Sequence, residues 1–432
     1  MHGEGVVKVS HERFWLICQN LYILGNSYNV LNLQHKAIKY LDIGRAFMRA
    51  AEIGEKRQFI RILNILGDCY FAQYDYKTAL VYYNEALEIG EPAKDEDHVD
   101  GEAAPEDEMN QSTEDMALHN QLLSKSAEAN ISMNQYENAI EYLEQARDMQ
   151  DVMGEDIKGD LVSTLYQLGQ MHSMAGDVDK AIDSYKESLE VFRELHNTLG
   201  PEMCVTLGNL ATMCYVKACI CEDIDSELQM ILAAEGHFQD ALKLEMNQSV
   251  CVKYANFLYS QGNYEDAIMY LEDALKSKTN LPEIVYGGLE KVTLPEALQD
   301  EVDAQEEVEM PSVCLGHFLE VLSYKMLGKT RHSDRCLLKL LKTVYDTDSP
   351  FLRSVLGYAL MEMGLFEEAA VSFRAACEMD PEYHLALDNY CLCLCLMVLE
   401  SLNSALKNFF IHYRIWYDEM NPTTPTIREL DM

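Results

Sequence analysis

A pair of small residues held 12 positions apart recurs along the chain and limits its fold more than any other feature of the sequence. Gly25 with Ala37, Gly67 with Ala79, Ala127 with Ala139, Gly169 with Ala181, Ala255 with Ala267 and Gly357 with Ala369 all keep this spacing. Val321 with Ser333 and Cys393 with Ala405 keep it without a small residue in the first place. Around the fourth pair, Leu165, Leu168, Gly169 and His172 recur at helical intervals and Gly176-Asp177 breaks the run. Ala181, Ile182, Tyr185, Ser188 and Leu189 then form a second helical face. The pattern predicts two short antiparallel helices that approach closely at Gly169 and Ala181, where a larger side chain would hold the backbones apart. Four residues after each second member stands a bulky one: Leu41, Tyr83, Leu143, Tyr185, Leu271, Leu337, Phe373 and Phe409. Such a column is what stacked helices need.

This unit resembles the tetratricopeptide repeat. In segment 356–381, LGYALMEMGLFEEAAVSFRAACEMDP, residues Gly357, Gly364, Phe366, Ala369, Phe373, Ala376 and Pro381 fall where that family places glycine, aromatic, alanine and terminal proline. The resemblance extends over residues 15–415. It implies an all-α fold, a right-handed α-solenoid of about nine helix-turn-helix repeats in which each repeat touches mainly its neighbours. The step from Gly25 to Gly67, from Ala127 to Gly169 and from Gly169 to Ala211 is 42 residues. Each helix is therefore about one turn longer than in the common repeat of about 34 residues. That period is similar to kinesin light chains and related adaptors, as is segment 195–215, where Leu199-Gly200-Pro201 precedes Leu207-Gly208-Asn209-Leu210-Ala211. Gly208 departs from the asparagine usual there, and no N-terminal heptad coiled coil is present.

Three insertions interrupt the register and set the expected divisions: repeats over 1–90, an acidic loop over 91–115, repeats over 116–278, an acidic insertion over 279–311, repeats over 312–416 and a polar tail over 417–432. The first insertion holds 11 acidic residues and one lysine, and the last holds nine and one, so a mobile loop and a partly disordered segment are expected. Between them, near 218–236, Ala211 and Ala241 stand 30 rather than 12 residues apart, which leaves room for an extra helix over 223–234. The apolar stretch 391–399 makes the last repeat greasy, with an outer side to be covered by its own tail or by another chain.

Charge and cysteine usage narrow the partners. A net charge of −38 argues against nucleic acid and anionic membranes and favours a basic protein or peptide partner. The 13 cysteines show no framework of spaced pairs and are expected as reduced, packed thiols, including Cys214, Cys219, Cys221, Cys391, Cys393 and Cys395. No signal-peptide core and no run of membrane-spanning length are found in the sequence, so a cytoplasmic location is expected. No phosphate-binding loop, HExxH pair or GxSxG elbow is visible, and the reading is of no enzyme, no cofactor and no metal.

In the family that the chain resembles, ligand contacts come from the first helix of each repeat, three residues before and one after the first small residue. Transferred position by position, this implies a groove of Tyr22 and Asn26, Asn64 and Asp68, Ser124 and Glu128, Tyr166 and Gln170, then Val252 and Asn256, Phe318 and Leu322, and Ser354 and Tyr358. Asp68 and Glu128 stand where the family's clamp for a C-terminal carboxylate needs asparagine, and their charges oppose such a ligand. The function expected is a non-catalytic scaffold or adaptor holding a peptide or helix on its concave face. The alternatives are self-association through the C-terminal repeat, or the regulatory part of a larger system.

Overall fold

The computed structural model describes residues 11–51, 56–90, 106–153, 157–195, 200–276, 283–287, 289–305, 307–345 and 347–401. The described residues are helical but for one small hairpin, and they divide into two compact units, Met1–Met213 and Cys214–Met432.

The first unit is built from helix pairs: α1 (His11–Val30) with α2 (Gln34–Ala51), α3 (Lys56–Phe71) with α4 (Tyr76–Gly90), α5 (Glu106–Ile131) with α6 (Tyr136–Met153), and α7 (Lys158–Met174) with α8 (Val178–Glu194). Each pair closes around the small residue and the bulky column member of its own repeat. A Cβ added to Gly169 would lie 2.5 Å from Cε1 of Tyr185, and one added to Gly25 or Gly67 would overlap Leu41 or Tyr83. Leu41, Tyr83, Leu143 and Tyr185 are all buried. The glycine is thus a socket for a ring of the partner helix, which accounts for the 16-residue spacing between socket and ring.

One backbone feature of the turns escaped the sequence pattern. Seven residues after the first member of each of the first seven pairs comes a left-handed residue: Asn32, Tyr74, Asn134 and Gly176 in the first unit, then Gly262, Gly328 and Gly364 in the second. The next amide reaches back across the turn, as when Asp177 N–H donates to the His172 carbonyl at 2.8 Å, and so ends the helix. Asp177 then caps α8 by accepting from the Lys180 amide at 3.2 Å. At Tyr74, φ is 62°, a conformation that L side chains adopt at a cost. That side chain is 81% exposed and its ring meets only the edge of Tyr76. Tyr74→Gly is therefore expected to stabilise the chain by about 0.5–1 kcal/mol, read as a higher denaturant midpoint at unchanged slope.

α9 (Pro201–Ile220) runs across the division between the units. Against expectation, it is long and apolar enough to cross a membrane by length and composition, but 72% of its apolar window is buried inside the protein, as in a core helix. In the second unit, α10 (Ile224–Leu244) is one continuous helix capped by Asp223, whose carboxylate accepts the Ser226 amide at 3.0 Å. The extra helix expected over 223–234 is thus the N-terminal half of the helix that carries Ala241. Beyond it lie α11 (Gln248–Ser260) paired with α12 (Tyr264–Leu275), α14 (Ser312–Met326) with α15 (Thr330–Tyr345), and α16 (Pro350–Glu362) with α17 (Phe366–Met379), followed by α18 (His384–Ser401).

Two expectations about the acidic insertions need correction. In 91–115, residues from Glu106 onward open α5 and are held by Arg57, which donates to Glu114 at 2.8 Å and to Asp115 at 2.5 Å. Residues 91–105 lie outside the described residues. Between α12 and α14 the chain is folded: β1 (Glu283–Gly287), a 3-10 turn (Glu290–Thr293), α13 (Glu296–Gln305) and β2 (Glu307–Pro311), with β1 antiparallel to β2. Ile284 pairs with Met310 and Tyr286 with Val308, all four buried, while Val285 and Glu309 between them are exposed. This alternation of period two is a strand pattern that the count of acidic residues concealed.

The cysteines also divide differently from the expectation of uniform packing. Cys214 and Cys393 are buried and Cys221 is half-buried, but Cys219, Cys391 and Cys395 are exposed. Leu387 and Leu394 of α18 are exposed as well, and the segment expected to cover them, with Phe409 and the 417–432 tail, lies outside the described residues.

Candidate functional site

The first helices of the repeats in the first unit do more than pack. One face of α3 carries Arg61 and Asn64, the matching face of α5 carries Gln121, Ser124 and Glu128, and that of α7 carries Ser163, Thr164 and Gln167. With Tyr22 of α1, Gln150 of α6 and the carboxylates Glu114 and Asp160, these side chains line one groove of about 740 Å³. Of the positions implied by the sequence, Tyr22, Asn64, Ser124 and Glu128 are brought together here. Tyr166 lines an adjoining cavity of about 440 Å³ with Val162, Phe192, Val205 and Thr206, and Ser163 borders both. Its hydroxyl accepts from Gln170 and from Asn209, each at 3.2 Å, so the Tyr166–Gln170 pair belongs to a hydrogen-bonded wall. Asn26 is half-buried and lines neither cavity.

Asp68 has a different surrounding from the one its position suggested. Lys125 donates to its two carboxylate oxygens at 2.6 and 2.8 Å and to Asn64 Oδ1 at 2.7 Å, and the Tyr83 hydroxyl donates to Asp68 at 2.8 Å. The charge of Asp68 is therefore paired within the stack. Glu128 is left as the acidic group of this cluster that faces the groove. Its carboxyl is pushed above the ordinary range, first by the protein packed around it and also by Asp68, against the pull of Lys125. With Glu114 paired to Arg57, Glu128 and Asp160 still outnumber Arg61 on the groove wall.

In the second unit the positions implied by the sequence are not open to a ligand. Asn256 is 4% exposed, Phe318 0% and Tyr358 6%, and Val252, Leu322 and Ser354 are buried too. The reason is the folded insertion. Asn256 Nδ2 donates to the Thr293 carbonyl at 2.8 Å, and the Tyr358 hydroxyl donates to Glu301 Oε1 at 2.8 Å. The Tyr383 hydroxyl donates to the other oxygen of Glu301. Sequence register assigns these side chains to the ligand face but cannot say what covers that face.

Several groove residues were missed by the rule taken from the family. Arg61, Gln121 and Ser163 each stand three residues before a position that the rule named, so extending the same helix face by one turn would have found them. Lys125 carried no such signal, since its partner Asp68 lies 57 residues away.

Helix pairs repeating around one socket and one ring, with an inner face of polar side chains, define a helical repeat protein. Models of the tetratricopeptide repeat match residues 60–89, 121–150, 160–217, 255–280 and 353–383. Among solved structures, the apo form of RapI is similar over 87% of this chain and 89% of its own, with a TM-score of 0.54 at 11% identity. A tetratricopeptide repeat protein from Parabacteroides merdae aligns with 79% of this chain and 100% of its own, with a TM-score of 0.46 at 14% identity. The repeats of a putative kinesin light chain from Podosopora anserina align with 52% of this chain and 96% of their own, with a TM-score of 0.36 at 12% identity. No curated protein matches the chain in sequence. The chain is a tetratricopeptide repeat protein, and its fold is the one from which protein-interaction scaffolds are commonly built.

Proposed function

We propose that this protein is a non-catalytic interaction scaffold whose first unit takes a segment of a basic protein partner in the groove between Tyr22 and Gln167. What supports this reading is the composition of the groove wall. The amide of Gln167 offers a donor and an acceptor, the pair that a peptide group requires, and that of Gln121 offers its donors, its oxygen accepting from Asn64 Nδ2 at 3.4 Å while Asn64 Oδ1 accepts from Lys125 at 2.7 Å. Hydroxyls of Tyr22, Ser124 and Ser163 add single contacts, and Glu128 and Asp160 favour lysine or arginine in the ligand. Free thiols throughout the chain, many of them buried, suit a reducing compartment such as the cytoplasm.

Selection of a displayed random peptide library against the full chain tests this. The selected peptides are expected to carry lysine or arginine and to bind more weakly as salt is raised. The Gln121→Ala/Gln167→Ala variant is expected to lose about thirtyfold in affinity, as two hydrogen bonds of about 1 kcal/mol each would predict, whereas a Tyr74→Gly control is unaffected. Peptides that bind the double variant and the wild type equally would rule the groove out.

A further inference from the structure

The second unit repeats the architecture of the first, yet its equivalent face is filled by a piece of its own chain. That piece has the form of a ligand. α13 is an amphipathic helix with Leu298, Glu301 and Val302 turned inward, at 0%, 0% and 2% exposure, and with Glu296, Asp300 and Asp303 turned to solvent. Leu294, 3% exposed, extends the apolar face by a turn. A buried glutamate is costly unless its oxygens are satisfied, and here they are. Tyr358 donates to one oxygen at 2.8 Å and Tyr383 donates to the other. The Tyr358 hydroxyl in turn accepts from Asn389 at 2.8 Å, so its proton is directed at the carboxyl. The Thr293 carbonyl, at the start of the same segment, accepts from Asn256 Nδ2 at 2.8 Å.

We propose that the second unit is a binding site for an amphipathic acidic helix bearing one inward glutamate, and that α13 occupies it as a tethered ligand. The carboxyl-reading end of the site is made by Tyr358 and Tyr383. A partner helix with leucine three residues before the glutamate and a β-branched residue directly after it has the chemistry to replace α13. This reading is independent of the groove in the first unit, which carries a different set of side chains.

The test uses the full chain and a fluorescein-labelled peptide of residues 290–306. Leu298→Asp/Glu301→Ala is designed to release α13, which hydrogen exchange of that segment reports directly. The released variant is expected to bind the peptide at least about tenfold more tightly than the wild type does. Adding Tyr358→Phe and Tyr383→Phe is expected to weaken that binding about tenfold, and a peptide carrying lysine in place of Glu301 is expected not to bind. Should the released variant fail to fold, Tyr383→Phe alone decides: exchange is expected to quicken several-fold in α13 and to stay unchanged in α11, α14 and α16. Two results overturn the proposal. One is a freely exchanging α13 with no gain in peptide affinity. The other is exchange that rises in α11, α14 and α16 as much as in α13, which would make the insertion an integral part of one cooperative core.

Discussion

Gly169→Ala is expected to destabilise the chain by about 1–3 kcal/mol in the wild-type background and to stabilise it by about 1 kcal/mol once Tyr185 is alanine. The reversal follows from two opposed effects at one position. Alanine is the better helix former, and in an unhindered helix the exchange gains about 1 kcal/mol. At Gly169, however, the new Cβ would lie 2.5 Å from Cε1 of Tyr185, a rigid ring that is itself 2% exposed and cannot swing clear. Overpacking then outweighs propensity. Tyr185→Ala alone is expected to cost about 3–5 kcal/mol, and in the space it leaves the alanine at 169 meets nothing to oppose it. A double-mutant cycle followed by hydrogen exchange in α7 and α8 gives the coupling without assuming that the whole repeat array unfolds at once. If Gly169→Ala has the same sign in both backgrounds, the socket-and-ring account of the repeat is wrong.

The same contact explains why the fold was legible in the sequence. A glycine opposite a ring has one possible meaning, namely space, and Gly67 with Tyr83, Gly169 with Tyr185 and Gly357 with Phe373 state it three times at one spacing. Turn chemistry was half legible. Gly176, Gly262, Gly328 and Gly364 mark the left-handed position, and Asn32 and Asn134 suit it, since asparagine tolerates that conformation, but Tyr74 occupies it against its own preference.

The ligand face was legible only as a direction. Helical register told which side chains of α3, α5, α11 and α16 point away from the stack, and it told the two units apart in nothing. What separates Asn64 from Asn256 is a contact across 37 residues, from Asn256 to the Thr293 carbonyl, made by a segment whose nine acidic residues suggested disorder. The error has a physical cause. Net charge reports on the face of a helix or strand that meets water, whereas folding depends on the other face, and Ile284, Tyr286, Leu298, Val302, Val308 and Met310 supply that face here. Among the described acidic side chains of this segment Glu301 is the exception, since it lies on the buried side.

That exception predicts a pH dependence of its own. The Glu301 carboxyl is pushed up from its ordinary value of 4.5 to about 7, first by burial, with Asp300 adding to the rise and hydrogen bonds from Tyr358, Gln305 and Ser354 opposing it. In docked α13 the group therefore keeps its proton to a higher pH than in the released segment. Below pH 4.5 both forms hold the proton and docking has its full strength. As pH rises from 4.5 through about 7, the released segment ionises freely while the docked one must retain its proton or bury a charge. Docking is expected to weaken by about 3 kcal/mol across that window and then to level off. Glu320 of α14 supplies an internal contrast. Burial alone would raise its carboxyl too, but the hydrogen bond and charge of His317 and the charge of Lys339 hold it below the ordinary range. Its contribution is present at neutral pH and is lost as pH falls. Protection of α13, corrected for the intrinsic exchange rate, is thus expected to fall between pH 5 and pH 8. Glu301→Gln, neutral at every pH and still able to accept from Tyr358, is expected to abolish the slope in α13 and leave α14 unchanged. A wild-type α13 whose protection is flat across this range, or a glutamine variant with an undiminished slope, would show that the buried carboxyl is not what ties docking to pH.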